Sequence, residues 1–186
     1  MHCLQPGDIL RARVQRVCAK GVSCDIGEGC TAWMPISRLR IARLRHGSEV
    51  YTPGDILCAA VWSVSQETGQ VLLTGRETLG TWLENAQHFR QGRTVTGTAR
   101  TILPYGIFVE LAPNLCGLAE PRPGIAPGDA LQVSIRAILP EKHKVKLDIV
   151  KVSHQPPPMK KPEYYITSGH ISRWEYWPGS DSITVF

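Results

Sequence analysis

The sequence predicts an all-β protein of 186 residues: two tandem five-stranded barrels joined by a short helix, with an aromatic C-terminal tail. Three observations lead there. The chain carries an internal repeat of about half its length. Within each copy, apolar and polar residues alternate with the period of a half-buried strand, and glycine-containing turns separate the segments. A short helix is signalled in the stretch between the copies.

The repeat aligns "PGDILRARVQRVCAKGVSCDIGEGCTAWMP", from Pro6, with "QGRTVTGTARTILPYGIFVELAPNLCGLAE", from Gln91, without a gap. Gly7 falls on Gly92, Gly21 on Gly106 and Trp33 on Leu118. Downstream, "PGDILCAAVWSVSQETGQVLLT" from Pro53 matches "PGDALQVSIRAILPEKHKVKLD" from Pro127, the first copy having the longer connection before it. In the second copy the predicted strands run 94–103, 107–111, 115–119, 130–139 and 144–150. "LQVSIRA" shows the pattern: Leu131, Val133 and Ile135 inward, Gln132, Ser134 and Arg136 outward. Five short antiparallel strands suit a small closed barrel of the OB-fold kind rather than a sandwich.

Between the copies, Thr81 followed by Glu84 is a capping-box signature, and Trp82, Ala86 and Phe89 share one helical face. This predicts a helix over 82–90. "HQPPPMKKPEYY" cannot continue a central strand and reads as an extended linker. The tail beyond it is too aromatic for disorder and is expected to fold back on a barrel, burying Tyr164, Tyr165, Trp174, Tyr176, Trp177 and Phe186. The expected organisation is a degenerate first barrel over 1–75, a connecting helix over 76–91, a second barrel over 92–152, and linker plus tail over 153–186.

Hydrophobic content of 42% supports packed cores, and a net charge of +5 fits a polyanionic partner without demanding one. The N-terminus shows no signal-peptide pattern, and no apolar run reaches the ~18 residues of a membrane span. A cytoplasmic protein with no membrane partner is expected. The six cysteines, Cys3, Cys18, Cys24, Cys30, Cys58 and Cys116, form no C-x-x-C pair and read as free, mostly buried thiols.

The "GxxV" strand start, "YGIFVEL", the following "GL", "PGD" and the closing "VKLD" together resemble the S1-like RNA-binding domain, the repeat of a large small-subunit ribosomal protein. The resemblance is good over 91–150, fair over 6–74, and stops before the tail. It implies an OB-fold barrel that binds single-stranded RNA with aromatics of the turn-strand, in translation or RNA metabolism. Possible company is the ribosome or other RNA-associated proteins. Tyr105 and Phe108 are then a stacking platform, since exposed bases stack on aromatic rings. The other reading makes Phe108 core and Tyr105 a packed turn residue. Arg100, Arg136, Lys144 and Lys146 surround the rings as candidate phosphate ligands.

The chain also departs from the family pattern. Glu120 stands where many members carry histidine, and Pro140 where an acid is common. Lys20 and Ser23 replace the rings in the first copy, which reads as a weaker RNA binder or a docking module. That copy has a second basic run, Arg38, Arg40, Arg43 and Arg45. It is either a phosphate patch or a solvated helix or loop with only Leu39, Ala42 and Leu44 packed. Trp62, at an outward strand position, requires cover.

No Walker loop, nucleophile elbow, zincin helix or dinucleotide fingerprint is present, and His2, His46, His88, His143, His154 and His170 are scattered without ligand spacing. The expectation is a non-catalytic protein with no cofactor and no metal. Its rival is a protein-interaction scaffold on OB folds that has lost RNA binding.

Overall fold

A computed structural model describes residues 3–186; His2 lies outside them. The first barrel is built from β1 (Ile9–Cys18), β2 (Gly21–Asp25), β3 (Thr31–Pro35), β4 (Ile56–Val64) and β5 (Val71–Thr74), with a one-turn helix α1 (Ile36–Leu39) in the long connection. The second uses β6 (Thr94–Leu103), β7 (Gly106–Ala112), β8 (Leu115–Ala119), β9 (Ala130–Leu139) and β10 (Lys144–Ser153). Each is a closed barrel, ordered β1-β2-β3-β5-β4 and β10-β8-β7-β6-β9. These are the same order in the two copies. Closure is by parallel pairing, Ala32 with Val71 and Leu118 with Lys146. The first strand of each copy bulges at the aligned place, between Val14 and Arg16 and between Ala99 and Thr101. Bounds of β6, β8 and β9 coincide with the sequence expectation, while β10 runs on to Ser153.

The "PGD" signature has a physical basis. In Gln5–Asp8, Thr52–Asp55 and Ala126–Asp129 the fourth N–H donates to the first carbonyl, each at 3.1 Å. Glycine sits third with φ of 95°, 98° and 99°. This is a type II turn: proline presets the second position and the third requires positive φ. The aspartate carboxylate then accepts the N–H of the turn's first residue, at 2.9 Å in all three cases. Arg90–Arg93 makes the same turn with Gly92 third.

The capping box forms: Glu84 N–H donates to Thr81 Oγ1 at 3.2 Å, and Thr81 N–H to Glu84 Oε2 at 2.7 Å. The helix α2 (Trp82–Ala86) is nevertheless shorter than the 82–90 expected. His88 and Phe89 donate three residues back, to Asn85 and Ala86, so the chain tightens out of the helix to enter the Gly92 turn. Trp82 is buried and meets His143 edge-on, ring centroids 5.5 Å apart.

Two compact units result. One comprises Met1–Gly80 with Glu163–Phe186, the other Thr81–Pro162. The core of the second barrel is Ala99, Ile107, Val109, Leu115, Leu131, Val133, Ile135, Val145 and Leu147. In the first barrel β4 is buried on both faces: Leu57, Ala59 and Val61 point into the core, while Cys58 and Ala60 are covered from outside.

The tail belongs to that first unit. Gly169–Ile171 pairs with Gly7–Ile9 through Ile9 N–H to Gly169 O and Ile171 N–H to Gly7 O, both 2.9 Å. Tyr165 N–H donates to Thr78 O at 2.8 Å. Then β11 (Arg173–Glu175) and β12 (Ile183–Val185) form a small hairpin. Trp174 and Tyr176 are buried, and Tyr164, Tyr165, Trp177 and Phe186 are half-buried. The Tyr164 and Tyr51 hydroxyls lie 3.4 Å apart, and burial raises the pKa of both.

Candidate functional site

Antiparallel register puts directly opposed residues on one face of a sheet. On the outer face of the second barrel the row is Thr101, Phe108, Leu118 and Lys146, across β6, β7, β8 and β10. Phe108 is half-buried there, whereas its neighbours Ile107 and Val109 are wholly buried. It therefore stands outside the core, as strand alternation requires. Tyr105, on the β6–β7 turn, is 65% exposed. Gly106 supports this arrangement by absence of bulk: a Cβ there would come 2.7 Å from both the Leu118 side chain and the Ala119 carbonyl. Close approach of β8 is what requires glycine at this position.

The expected cations divide. Lys144 and Lys146 are exposed on β10. Arg100 is turned inward: its Nε meets Glu110 Oε2 at 2.8 Å with both side chains under a tenth exposed. A guanidinium desolvated in that way is committed to its carboxylate. Arg136 reaches Asp148 at 3.5 Å and Glu120 at 3.8 Å at the surface. Glu120 thus lies within reach of a positive charge.

The second basic run divides too. Arg38 sits 3.9 Å over the Trp62 ring, which supplies the cover that tryptophan needed. The same guanidinium donates to Thr184 Oγ1 at 3.3 Å and lies 3.7 Å from Glu77. Arg76 donates to Thr184 at 3.2 Å, and Thr184 in turn donates to Glu77 Oε1 at 2.5 Å. Thr74 donates to Glu77 Oε2 at 2.6 Å. Glu77 is fully buried. Burial, then Arg76, lowers the Arg38 pKa, with Glu77 acting the other way. This cluster docks β12 on the barrel. Arg40 is buried beside Tyr51, Arg45 pairs with Glu49 at 2.8 Å, and Arg43 is exposed. Leu39, Ala42 and Leu44 are packed.

A different basic set was missed. The first-barrel row is Arg16, Ser23, Trp33 and Leu72. Arg11, Arg13, Arg16 and Lys20 are all exposed, and none makes an ion pair among the described residues. The signal was present in "RARVQR", whose arginines alternate with Ala12 and Val14.

The cysteines are all thiols rather than disulfides, but Cys3, Cys18 and Cys30 are exposed rather than buried. Burial pushes the Cys24 thiol up to about 12. Among the described residues no group of three or more His, Cys, Asp or Glu could hold a metal ion, and no helix is long and apolar enough to cross a membrane.

No protein-family model matches the chain. It is 25% identical over 165 residues to the small ribosomal subunit protein bS1 of Leuconostoc lactis, covering 82% of this chain and 38% of that one. It is 24% identical over 168 residues to the small ribosomal subunit protein bS1 homolog of Bacillus subtilis, covering 84% and 44%. The chain thus spans about two fifths of the length of these curated relatives. A solved multidomain protein with nucleic acid binding domains from Streptococcus pneumoniae matches at 17% identity and a TM-score of 0.39, over 80% of this chain and 54% of that one. The barrels are S1-like by sequence and OB-like by topology.

Proposed function

We propose that these tandem S1-like barrels form a non-catalytic RNA-binding protein that takes single-stranded RNA mainly on the second barrel, in translation or RNA metabolism. The observation that carries this is the pairing of an exposed Tyr105 with an outward Phe108, on a row that ends at Lys146. Unstacked bases offer π-faces to such rings, and β10 lysines attract the backbone without reading sequence. The bS1 relatives are ribosomal proteins by name, which supports an RNA partner and a cytoplasmic, ribosome-associated setting. With Arg100 held by Glu110, the candidate contacts are Tyr105, Phe108, Lys144 and Lys146, and Arg136 if it leaves its surface acids.

Fluorescence anisotropy with a labelled single-stranded RNA tests the reading. Tyr105→Ala with Phe108→Ala should weaken binding by about 2–4 kcal/mol if each ring stacks one base. Circular dichroism should show the fold retained. Duplex DNA should bind less well than the single strand, and affinity should fall as salt rises. Unchanged binding in the folded double variant would refute the second-barrel site. No binding by the intact chain at low salt would favour a protein-interaction module.

A further inference from the structure

We propose that the first barrel carries its own single-stranded nucleic-acid site, on the outer face of β1–β3, with the order of ring and cation along the row reversed relative to the second barrel. The ligand class is that of the proposed function, but the residues are different. The positions where the S1 resemblance puts rings hold Lys20 and Ser23. The register supplies a substitute: Trp33 on β3 occupies the outward row that Leu118 occupies on β8. A Cβ on Gly21 would come 2.9 Å from Trp33 Cζ2, so the ring leans over the β1–β2 turn, as Leu118 leans over Gly106. It remains half-buried rather than enclosed.

Two strands from Trp33, about 10 Å away, β1 presents Arg16 on the same row. Arg13 and Arg11 continue along that strand, about 7 Å apart. Asp25 is the cross-strand neighbour of Arg13, yet its Oδ1 accepts the Gly27 N–H at 2.8 Å and it makes no ion pair with the arginine. Glu28 is the other acid of these strands' loops, exposed beyond the far end of β2. The aligned second-barrel positions are Thr96, Thr98 and Thr101, which are neutral. An unpaired arginine stripe beside a partly open tryptophan suits a flexible polyanion with exposed bases, since arginines follow phosphates while the ring accepts a base face.

The test uses the full chain and a labelled single-stranded RNA at several salt concentrations. Arg11→Gln, Arg13→Gln and Arg16→Gln together should reduce the slope of log affinity against log salt by about 2, at about 0.7 per lost contact to a single strand. Trp33→Leu, which installs the second copy's residue, should weaken binding severalfold and leave the slope unchanged. Tyr105→Ala with Phe108→Ala should leave the slope intact whatever it does to affinity, so failure of the second-barrel reading is separable. Circular dichroism checks each variant, and Trp33→Phe should restore part of the loss if the fold is retained. An unchanged slope in the folded triple variant would overturn the proposal. Binding of inorganic polyphosphate as tight as that of RNA, indifferent to Trp33→Leu, would overturn it too, since the face would be a charge patch without a base site.

Discussion

The fourth strands of the two barrels align in sequence and sit in different surroundings. β9 reads "ALQVSIRAIL", with Leu131, Val133 and Ile135 inward and Gln132 and Arg136 in water. β4 reads "ILCAAVWSV", in which Cys58 and Ala60 take outward positions and are nonetheless buried. The difference tracks the tail, which belongs to the first unit and ties to β5 and its neighbours through Glu77 and Thr184. One barrel is a two-environment sheet; the other has a strand enclosed on both faces. Strand alternation survives only where one face stays wet.

The largest test of that contrast is the buried carboxylate. Glu77→Ala should cost about 3–5 kcal/mol in urea unfolding, because it leaves the half-buried Arg38 and Arg76 without their counter-charge and the buried Thr74 and Thr184 hydroxyls without their acceptor. Limited proteolysis should then release the tail. Asp148→Asn, at the exposed Arg136 pair, should cost about 0–1 kcal/mol. Equal costs would mean that the tail cluster contributes nothing special.

Next in size is an exchange of aligned residues. Cys58→Gln places the polar residue of β9 under the first barrel's cover and should cost about 1–3 kcal/mol, the range for burying an amide without a partner. Gln132→Cys should stay within about 0.5 kcal/mol, as exposed substitutions do. A harmless Cys58→Gln would show that the outer face of β4 is open in solution.

Acid sharpens the comparison on the second barrel. The Ala126 N–H, and after it His154, hold the Asp129 carboxyl below its ordinary 3.8 against the opposing effect of burial. Its stabilisation is therefore full above 3.8 and fades as pH falls through the lower folded value. Asp129→Ala should lose about 1–2 kcal/mol at neutral pH, and its stability should then change less than wild type between pH 5 and pH 2. An unaltered acid profile would exclude Asp129 as a contributor.

The smallest effect is chemical. Thiol alkylation of the folded protein should label Cys3, Cys18 and Cys30 and spare Cys24 and Cys58, since both of the latter are buried and burial also raises the Cys24 pKa, leaving it little thiolate. Mass spectrometry reads this directly. Rapid labelling of Cys24 would mean that the first barrel opens more readily than its core implies.

Much of the barrels was legible in the residues. Alternation placed β6, β8 and β9 at their observed bounds, and Thr81 with Glu84 located the start of α2. Its end was misjudged, because Phe89 keeps helical spacing while its N–H bonds three residues back. At the candidate site, the outward placement of Phe108 followed from alternation alone. The inward turn of Arg100 did not, since it depends on Glu110 arriving ten residues later on the neighbouring strand. The unbroken apolar run of β4 was itself a signal of burial on both faces, and it was not read as one.

By itself the sequence determined the local chemistry: the Pro-Gly-Asp turns, the period-two strands, the capping box and the repeat that makes two barrels. Those features act within a few residues or recur at fixed offsets, so linear order carries them. Tertiary structure alone decided which charges remain available. Arg38 meets Glu77 because its carbonyl accepts the Gly75 and Arg76 N–H groups, and Thr184, 107 residues beyond that carboxylate, completes the cluster. Arg11, Arg13 and Arg16 make no ion pair among the described residues, and Asp25, which the register sets beside Arg13, is held by the Gly27 N–H of its own loop. A charge is neutralised by whatever the fold sets beside it, and for Arg38 and Arg100 that neighbour stands on another segment of the chain.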